Sequence, residues 1–316
     1  MKPLVLILSP LIEAHRAQIA EHYDVLYAPH ASTIEAQLAA SNPDVMVVLT
    51  NGPVGLHKEA IDAMPRLELI CALGVGYERI AVSHARDRGI VLASGAGCNS
   101  DCVADHAMAL LLAVVRNIVQ YNKVVQGGAW RRGLAWAPNV SGSRMGVLGL
   151  GDIGLKIAHR AQAFNIDVAY HSRHARGDVG YGYHETLESL ARWCDFLVVA
   201  TPGGTHTRHL VNEAVLDALG PHGYVVNISR GTVIDTEALA RAVRTGRIAG
   251  AALDVYEGEP KSPPELLGLP NVIFTPHIAG TSPVAVQNTV DQFLRNVAGH
   301  FSGVGPFCPI PVGAVL

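Results

Sequence analysis

The stretch Gly149-Leu150-Gly151-Asp152-Ile153-Gly154 constrains the fold more than any other part of the chain. In a sequence with 32 glycines such a spacing can arise by chance, so its flanks decide what it means. Ahead of it stands the apolar pair Val147-Leu148, and behind it Leu155, Ile157, Ala158 and Ala161 recur at helical spacing. Strand, glycine turn and helix in that order form the opening of a dinucleotide-binding βαβ unit. Gly149 permits the tight turn, Gly151 admits a pyrophosphate close to the backbone, and Gly154 lets the helix pack against the sheet. The helix start at Asp152-Ile153 then offers N–H groups to phosphate.

The rest of the chain repeats the same alternation. Val5–Leu8, Asp44–Leu49, Leu69–Leu73 and Ile90–Ala93 are short apolar runs separated by amphipathic or turn-rich segments. A long apolar helix begins near Asn99-Ser100-Asp101 and runs through Ala104, Met108, Leu111 and Val115 towards Arg116. Beyond it come Val147-Leu148, Val168–Tyr170, Phe196–Ala200, Val225–Ile228, Gly250–Leu253 and Val272–Phe274, again with helical stretches between. The pattern predicts an α/β protein of two doubly wound parallel-sheet domains. A last helix, Val284–Phe301, is expected to return to the first domain, giving residues 1–98 with 284–316 as one domain and 99–283 as the other.

Composition narrows the partners. The 316 residues are 49% hydrophobic and 16% charged with net charge -3, so no polyanion-binding surface is expected and no nucleic-acid partner is expected either. The apolar N-terminal run ends at Pro10 and reads as a buried strand, and no stretch reaches the roughly 20 residues that span a bilayer, so a cytoplasmic protein is expected. Five scattered cysteines, Cys71, Cys98, Cys102, Cys194 and Cys308, predict reduced thiols and no metal site.

The end of the second nucleotide-domain strand bears on cofactor choice. An acid usually stands there to hold a free ribose 2′-hydroxyl, but this chain reads Tyr170-His171-Ser172-Arg173. Asp167 precedes the apolar part of the strand and belongs at the opposite end of the sheet. Ser172 can donate a hydrogen bond and Arg173 can supply charge, with Arg176 nearby to assist, so NADPH is favoured over NADH.

Downstream stand Arg230, in Ile228-Ser229-Arg230-Gly231, then Glu259 and then His277, in Thr275-Pro276-His277-Ile278. A lone histidine after a strand is usually a loop or core residue; the ordered set behind a dinucleotide turn points to hydride transfer. Arg230 can anchor a carboxylate and stabilise charge at a carbonyl oxygen, His277 can donate a proton, and Glu259 can orient the imidazole.

Together with Ser94–Ser100, Val103-Ala104-Asp105-His106, Val226–Gly231, Ala251–Pro260 and Pro276–Gly280, these residues resemble the D-isomer-specific 2-hydroxyacid dehydrogenases over nearly the whole chain. The resemblance implies a Rossmann nucleotide domain inserted in a flavodoxin-like substrate domain, a cleft between them, and catalysis by Arg230, Glu259 and His277. It implies that the backbone of Leu73-Gly74-Val75-Gly76 holds the substrate carboxylate. It also implies that Asp254 contacts the nicotinamide carboxamide, and that Thr201, Pro202, Thr207, Ile228, Ser229 and Gly280 line the cofactor. Family members are commonly dimers. The chain departs from the family at Asp105, where glutamate is usual, and at Gly203-Gly204, in a loop that is usually bulkier.

At 316 residues, neither the regulatory domain of long phosphoglycerate dehydrogenases nor the N-terminal arm of formate dehydrogenases is expected. With an NADP preference, the chain is most similar to the glyoxylate and hydroxypyruvate reductase branch, where a partner-subunit tryptophan reaches the substrate; Trp136 is the candidate. Two alternatives are a reductase of bulkier, phenylpyruvate-type 2-oxo acids and, from another class, a nucleotide-sensing corepressor-like binding protein.

Overall fold

Short apolar runs bounded by turn residues suit strands buried on both faces, and here they form two parallel sheets. The computed structural model describes residues 2–29 and 31–311. Residues 312–316, the end of the segment expected to close the first domain, lie outside the described ones. The chain divides into two units, one formed by the segment up to Asn99 with that from Ser282 onward, the other by Ser100–Thr281.

The first unit contains β1 (Leu4–Ile7), β2 (Asp24–Tyr27), β3 (Val45–Thr50), β4 (Leu69–Ala72) and β5 (Val91–Ser94), ordered β2-β1-β3-β4-β5 with every pair parallel. This is the flavodoxin-like order. Alternate side chains feed two cores: Leu6, Val48, Ile70 and Leu92 on one face, Val5, Ile7, Val47 and Leu69 on the other. The second core is closed by the helix Pro283–Phe301, whose Val290, Phe293 and Val297 lie on one buried stripe. That helix starts where the sequence dictates: Ser282 Oγ accepts from Ala285 N at 3.1 Å, and Pro283 occupies the first turn, where a missing N–H costs nothing.

The second unit contains β6 (Arg144–Leu148), β7 (Asp167–His171), β8 (Gly182–Tyr183), β9 (Phe196–Val199), β10 (Tyr224–Asn227), β11 (Gly250–Leu253) and β12 (Val272–Phe274). Its order is β12-β11-β10-β9-β6-β7-β8, again all parallel. The winding reverses between β6 and β9, and ligands of such sheets bind beyond the carboxyl ends of the strands at that point. The glycine turn sits at the end of β6.

Helix Ser100–Val115 buries Ala104, Met108, Leu111 and Val115 in this unit. Asp105 receives Arg160 Nε at 2.6 Å, and Arg160 Nη2 also reaches Asp101 Oδ1 at 3.1 Å. The two acids thus tie this helix to the helix Asp152–Ala163. Cys98 precedes the helix and shares no helical face with Cys102. Among the described residues no single helix is long and apolar enough to cross a membrane; only the pair Ser100–Val115 and Ile118–Gln126, bent by 61°, passes by length and composition.

Candidate active site

The glycine turn is shaped by contacts that exclude side chains. Gly149 has φ 93°, and a Cβ there would lie 2.8 Å from Thr201 Cα; at Gly154 it would lie 2.1 Å from Gly149 O. Gly151 is different: a Cβ would meet nothing within 4 Å. Its smallness is therefore not required by packing within the protein. Gly151 is also the N-cap of helix Asp152–Ala163, which carries no side-chain cap. An uncapped helix start beside open space fits a pyrophosphate, whose charge the exposed N–H groups and helix dipole favour.

At the end of β7, Ser172 Oγ donates to His174 O at 2.7 Å, and Arg173 is exposed without an ion pair among the described residues. Asp167 begins β7 and so lies at the far end of that strand from the turn. Arg176 is fully engaged: its backbone N–H donates to Tyr170 Oη at 2.7 Å, Nη1 to Leu150 O at 2.7 Å, and Nε and Nη2 to Asp178 at 2.9 and 2.5 Å. The paired charges hold the Asp178 carboxyl below its ordinary range.

Arg230 follows β10 through a turn built by a buried amide. Asn227, 1% exposed, accepts from Ser229 N at 3.1 Å through Oδ1 and donates through Nδ2 to Arg230 O at 3.1 Å. Ser229 Oγ donates to Thr201 O, which joins this turn to the loop after β9. In that loop Gly203 leaves room for Arg230, since a Cβ there would lie 2.6 Å from Arg230 Cγ. The glycine at this point of the loop thus has a local reason. Gly231 in turn abuts the Tyr256-Glu257 peptide; its Cβ would stand 2.0 Å from Tyr256 C. Thr207, half-buried in the turn Thr205–Thr207, donates to Gly204 O, while Pro202 is exposed.

Glu259 and His277 are in direct contact, Nδ1 to Oε2 at 2.7 Å. The other carboxylate oxygen of Glu259 accepts from Tyr256 N at 2.9 Å, which fixes its rotamer. His277 has φ 52°, a left-handed conformation that costs a non-glycine residue about 1–2 kcal/mol. Asp254 supplies the compensation. Its carbonyl accepts from His277 N at 2.8 Å, and its carboxylate accepts from Ile278 N and Ala279 N, each at 2.9 Å, and from Thr275 Oγ1 at 2.6 Å. Hydrogen bonds to a charged group contribute about 1.5–3 kcal/mol, enough to offset the strain. His106 Nε2 lies 3.0 Å from the same Thr275 hydroxyl. Gly280 follows, half-buried.

A neighbouring acid, Glu257, receives His209 Nε2 at 2.9 Å and the Thr236 hydroxyl at 2.8 Å. Burial alone would raise its carboxyl, but the His209 and Thr236 bonds outweigh that and hold it below its ordinary value. It ties the loop after β9 to the segment carrying Glu259. Asn227, Gly231, Glu257, Thr275 and His106 were not singled out from the sequence for these roles.

In the first unit, Leu73–Gly76 follows β4. Leu73 N donates to Thr50 O at 2.7 Å, whereas the N–H groups of Gly74, Val75 and Gly76 find no acceptor among the described residues. Trp136 is 98% exposed. Among the described residues no group of three His, Cys, Asp or Glu side chains could hold a metal ion.

The sequence model of the NAD-binding domain of D-isomer-specific 2-hydroxyacid dehydrogenases matches residues 108–279. The chain belongs to this family. It is 37% identical over 274 residues to hydroxyphenylpyruvate reductase of Plectranthus scutellarioides, covering 86% of this chain and 88% of that one. It is 34% identical over 308 residues to glyoxylate/hydroxypyruvate reductase A of Arabidopsis thaliana, covering 97% and 98%. The crystal structure of NADPH-dependent glyoxylate/hydroxypyruvate reductase from Sinorhizobium meliloti, in complex with NADP and malonate, has a TM-score of 0.90 at 35% identity and covers 98% of this chain and 97% of that one. As a 2-hydroxyacid dehydrogenase the chain is an NAD(P)-dependent oxidoreductase, in keeping with the family, fold class and dinucleotide turn read from the sequence.

Proposed function

We propose that the protein is an NADPH-preferring reductase of small 2-oxo acids, glyoxylate and hydroxypyruvate, giving D-2-hydroxy acids. The observation that carries its chemistry, reduction with a histidine as proton donor, is the 2.7 Å contact between His277 Nδ1 and Glu259. With Nδ1–H donated to the carboxylate, Nε2 is left to face a substrate. When bound, the reduced nicotinamide supplies a hydride to the carbonyl carbon. His277 gives the proton on Nε2 to the carbonyl oxygen, completing the hydroxyl, and is left neutral while Glu259 stays ionised. Arg230 presents a planar fork to the substrate's carboxylate and to the oxygen where charge develops. The unpaired N–H groups of Gly74, Val75 and Gly76 take the carboxylate, with Leu73 fixing the loop.

Ser172 and Arg173 receive the 2′-phosphate; the NADP preference itself is supported by the NADP-bound relative. Gly149, Gly151, Asp152, Ile153 and Gly154 hold the pyrophosphate, and Thr201, Pro202, Thr207, Ile228, Ser229, Asp254 and Gly280 line the rest of the cofactor. The substrate domain is assigned to residues 1–98 with 284–316 and the nucleotide domain to 99–283. A homodimer is assigned as well: helix Ile118–Gln126 buries no residue, leaves Ile118, Val119 and Val125 exposed, and precedes the exposed Trp130 and Trp136. In such a dimer Trp136 reaches the partner's substrate. Five free cysteines suit a reducing, cytoplasmic setting.

A second reading, a reductase of aryl 2-oxo acids, is favoured by the hydroxyphenylpyruvate reductase relative. The test is a matched panel of initial rates with NADPH and NADH against glyoxylate, hydroxypyruvate, pyruvate and phenylpyruvate. Preference for NADPH with the two small substrates is expected. Turnover chiefly with phenylpyruvate would install the second reading, and absence of turnover would defeat both.

A further inference from the structure

The loop after β7 contains two basic residues in different states. Arg173 has no ion pair among the described residues, whereas every donor group of Arg176 is in use. Two of these bonds, the backbone N–H to Tyr170 Oη and Nη1 to Leu150 O, pin Arg176 between the end of β7 and the second residue of the glycine turn. In a Rossmann sheet those two places flank the adenosine ribose, and an arginine there can accommodate a 2′-phosphate. The remaining donors, Nε and Nη2, form the parallel fork that binds carboxylate or phosphate side-on. Asp178 fills that fork, at 2.9 and 2.5 Å.

We infer that Asp178 is an internal competitor for the cofactor's 2′-phosphate, holding the Arg176 fork until that phosphate displaces it. The inference rests on the NADPH reading and deepens it. The pair can exchange: the Arg176 side chain is 33% exposed and that of Asp178 66%, and an ion pair so open to water contributes little to stability. A phosphate, with nearly two charges and three acceptor oxygens, makes the stronger partner. The carboxylate costs the site twice, by occupying the fork and by repelling an incoming anion. An adenosine with a free 2′-hydroxyl meets neither obstacle, so Asp178 narrows the margin between the two cofactors.

The test is calorimetric titration of the full-length protein with adenosine 2′,5′-bisphosphate and with 5′-AMP. Asp178→Asn keeps the size and removes the charge. It is expected to tighten the bisphosphate by roughly three- to tenfold, with 5′-AMP binding held within about twofold. Adding Arg176→Met should abolish the gain. Equal shifts for the two probes, no shift, or a gain that survives Arg176→Met would each overturn the inference. The NADPH reading fails separately. It falls if the parent binds both probes equally and Arg173→Ala changes neither, and Asp178 is then still judged by whether Asp178→Asn creates a preference.

Discussion

Replacing Gly203 with alanine adds one methyl group and tests whether Arg230 needs its present position. Gly203 is not among the residues with positive φ, so the alanine backbone is unstrained and the effect is one of contact alone. The new Cβ would lie 2.6 Å from Arg230 Cγ and 3.1 Å from its Cβ. Carbon atoms pack comfortably at about 3.5–4 Å, so Cγ must retreat by roughly 1 Å. The strain has no cheap outlet. Cγ is near the stem of the side chain, and Nη1 is bonded to Ser229 O at 2.7 Å, so the guanidinium moves with it. Misplacement of a positioning group by about 1 Å can lower the rate about 100-fold, equivalent to about 2.7 kcal/mol of transition-state stabilisation. Steady-state kinetics of Gly203→Ala should therefore show kcat/KM for the 2-oxo acid falling by one to two orders of magnitude, with NADPH affinity changed much less. Thermal unfolding, measured alongside, should show at most the 1–3 kcal/mol typical of overpacking. A kcat/KM within about threefold of the parent would refute the argument, as would a loss explained entirely by unfolded protein.

Other substitutions probe the neighbouring parts. His277→Ala should lower kcat by roughly 100- to 10,000-fold while NADPH binding, followed by fluorescence titration, barely changes; unaltered turnover would remove the imidazole from the chemistry. Arg230→Lys should raise KM and lower kcat together, because an ammonium lacks the planar fork; near-normal kinetics would end the anchor role. Ser172→Asp should shift relative kcat/KM towards NADH, and an unchanged ratio of the two cofactors would count against the phosphate site. The carboxyl of Glu257 is held low in the folded protein, so its contribution to stability is full above the ordinary value of 4.5 and is lost as pH falls through the lower folded value. The Tm difference between parent and Glu257→Gln should accordingly be present at neutral pH and close in acid; a pH-independent difference would contradict this.

Much of the architecture was legible because strong periodicity and a special backbone coincide. Val147-Leu148, the glycines Gly149, Gly151 and Gly154, and the helical spacing of Leu155, Ile157, Ala158 and Ala161 together point to strand, turn and helix, and β6 with helix Asp152–Ala163 bears this out. The less legible elements were those with weak patterns. Strand β2, Asp24–Tyr27, has no fully buried residue and sits at a sheet edge, β8 is only two residues long, and helix Ile118–Gln126 has no buried face within its own chain. Burial produces the apolar spacing that sequence reading depends on, so elements that bury little leave little trace. Gly203-Gly204 was visible as an oddity, but its cause was not, because the crowding comes from Arg230, 27 residues later and on another strand's loop.

The reacting groups are easier to find than the groups that hold them, and Asp254 shows why. A carboxylate 1% exposed must be surrounded by donors, since an unpaired buried charge would cost several kcal/mol. Its donors here are the Thr275 hydroxyl and the N–H groups of Ile278 and Ala279, all within two residues of His277. The bonds that satisfy Asp254 thus accompany the left-handed conformation of the chain at His277, whose imidazole meets Glu259. Asp254 and His277 stand 23 residues apart in the sequence, and the bonds joining them end on backbone N–H groups that every residue but proline possesses. No side-chain pattern can announce such bonds. An arginine, an acid and a histidine in order announce the chemistry, while the geometry that makes it possible is written in main-chain hydrogen bonds to buried polar side chains.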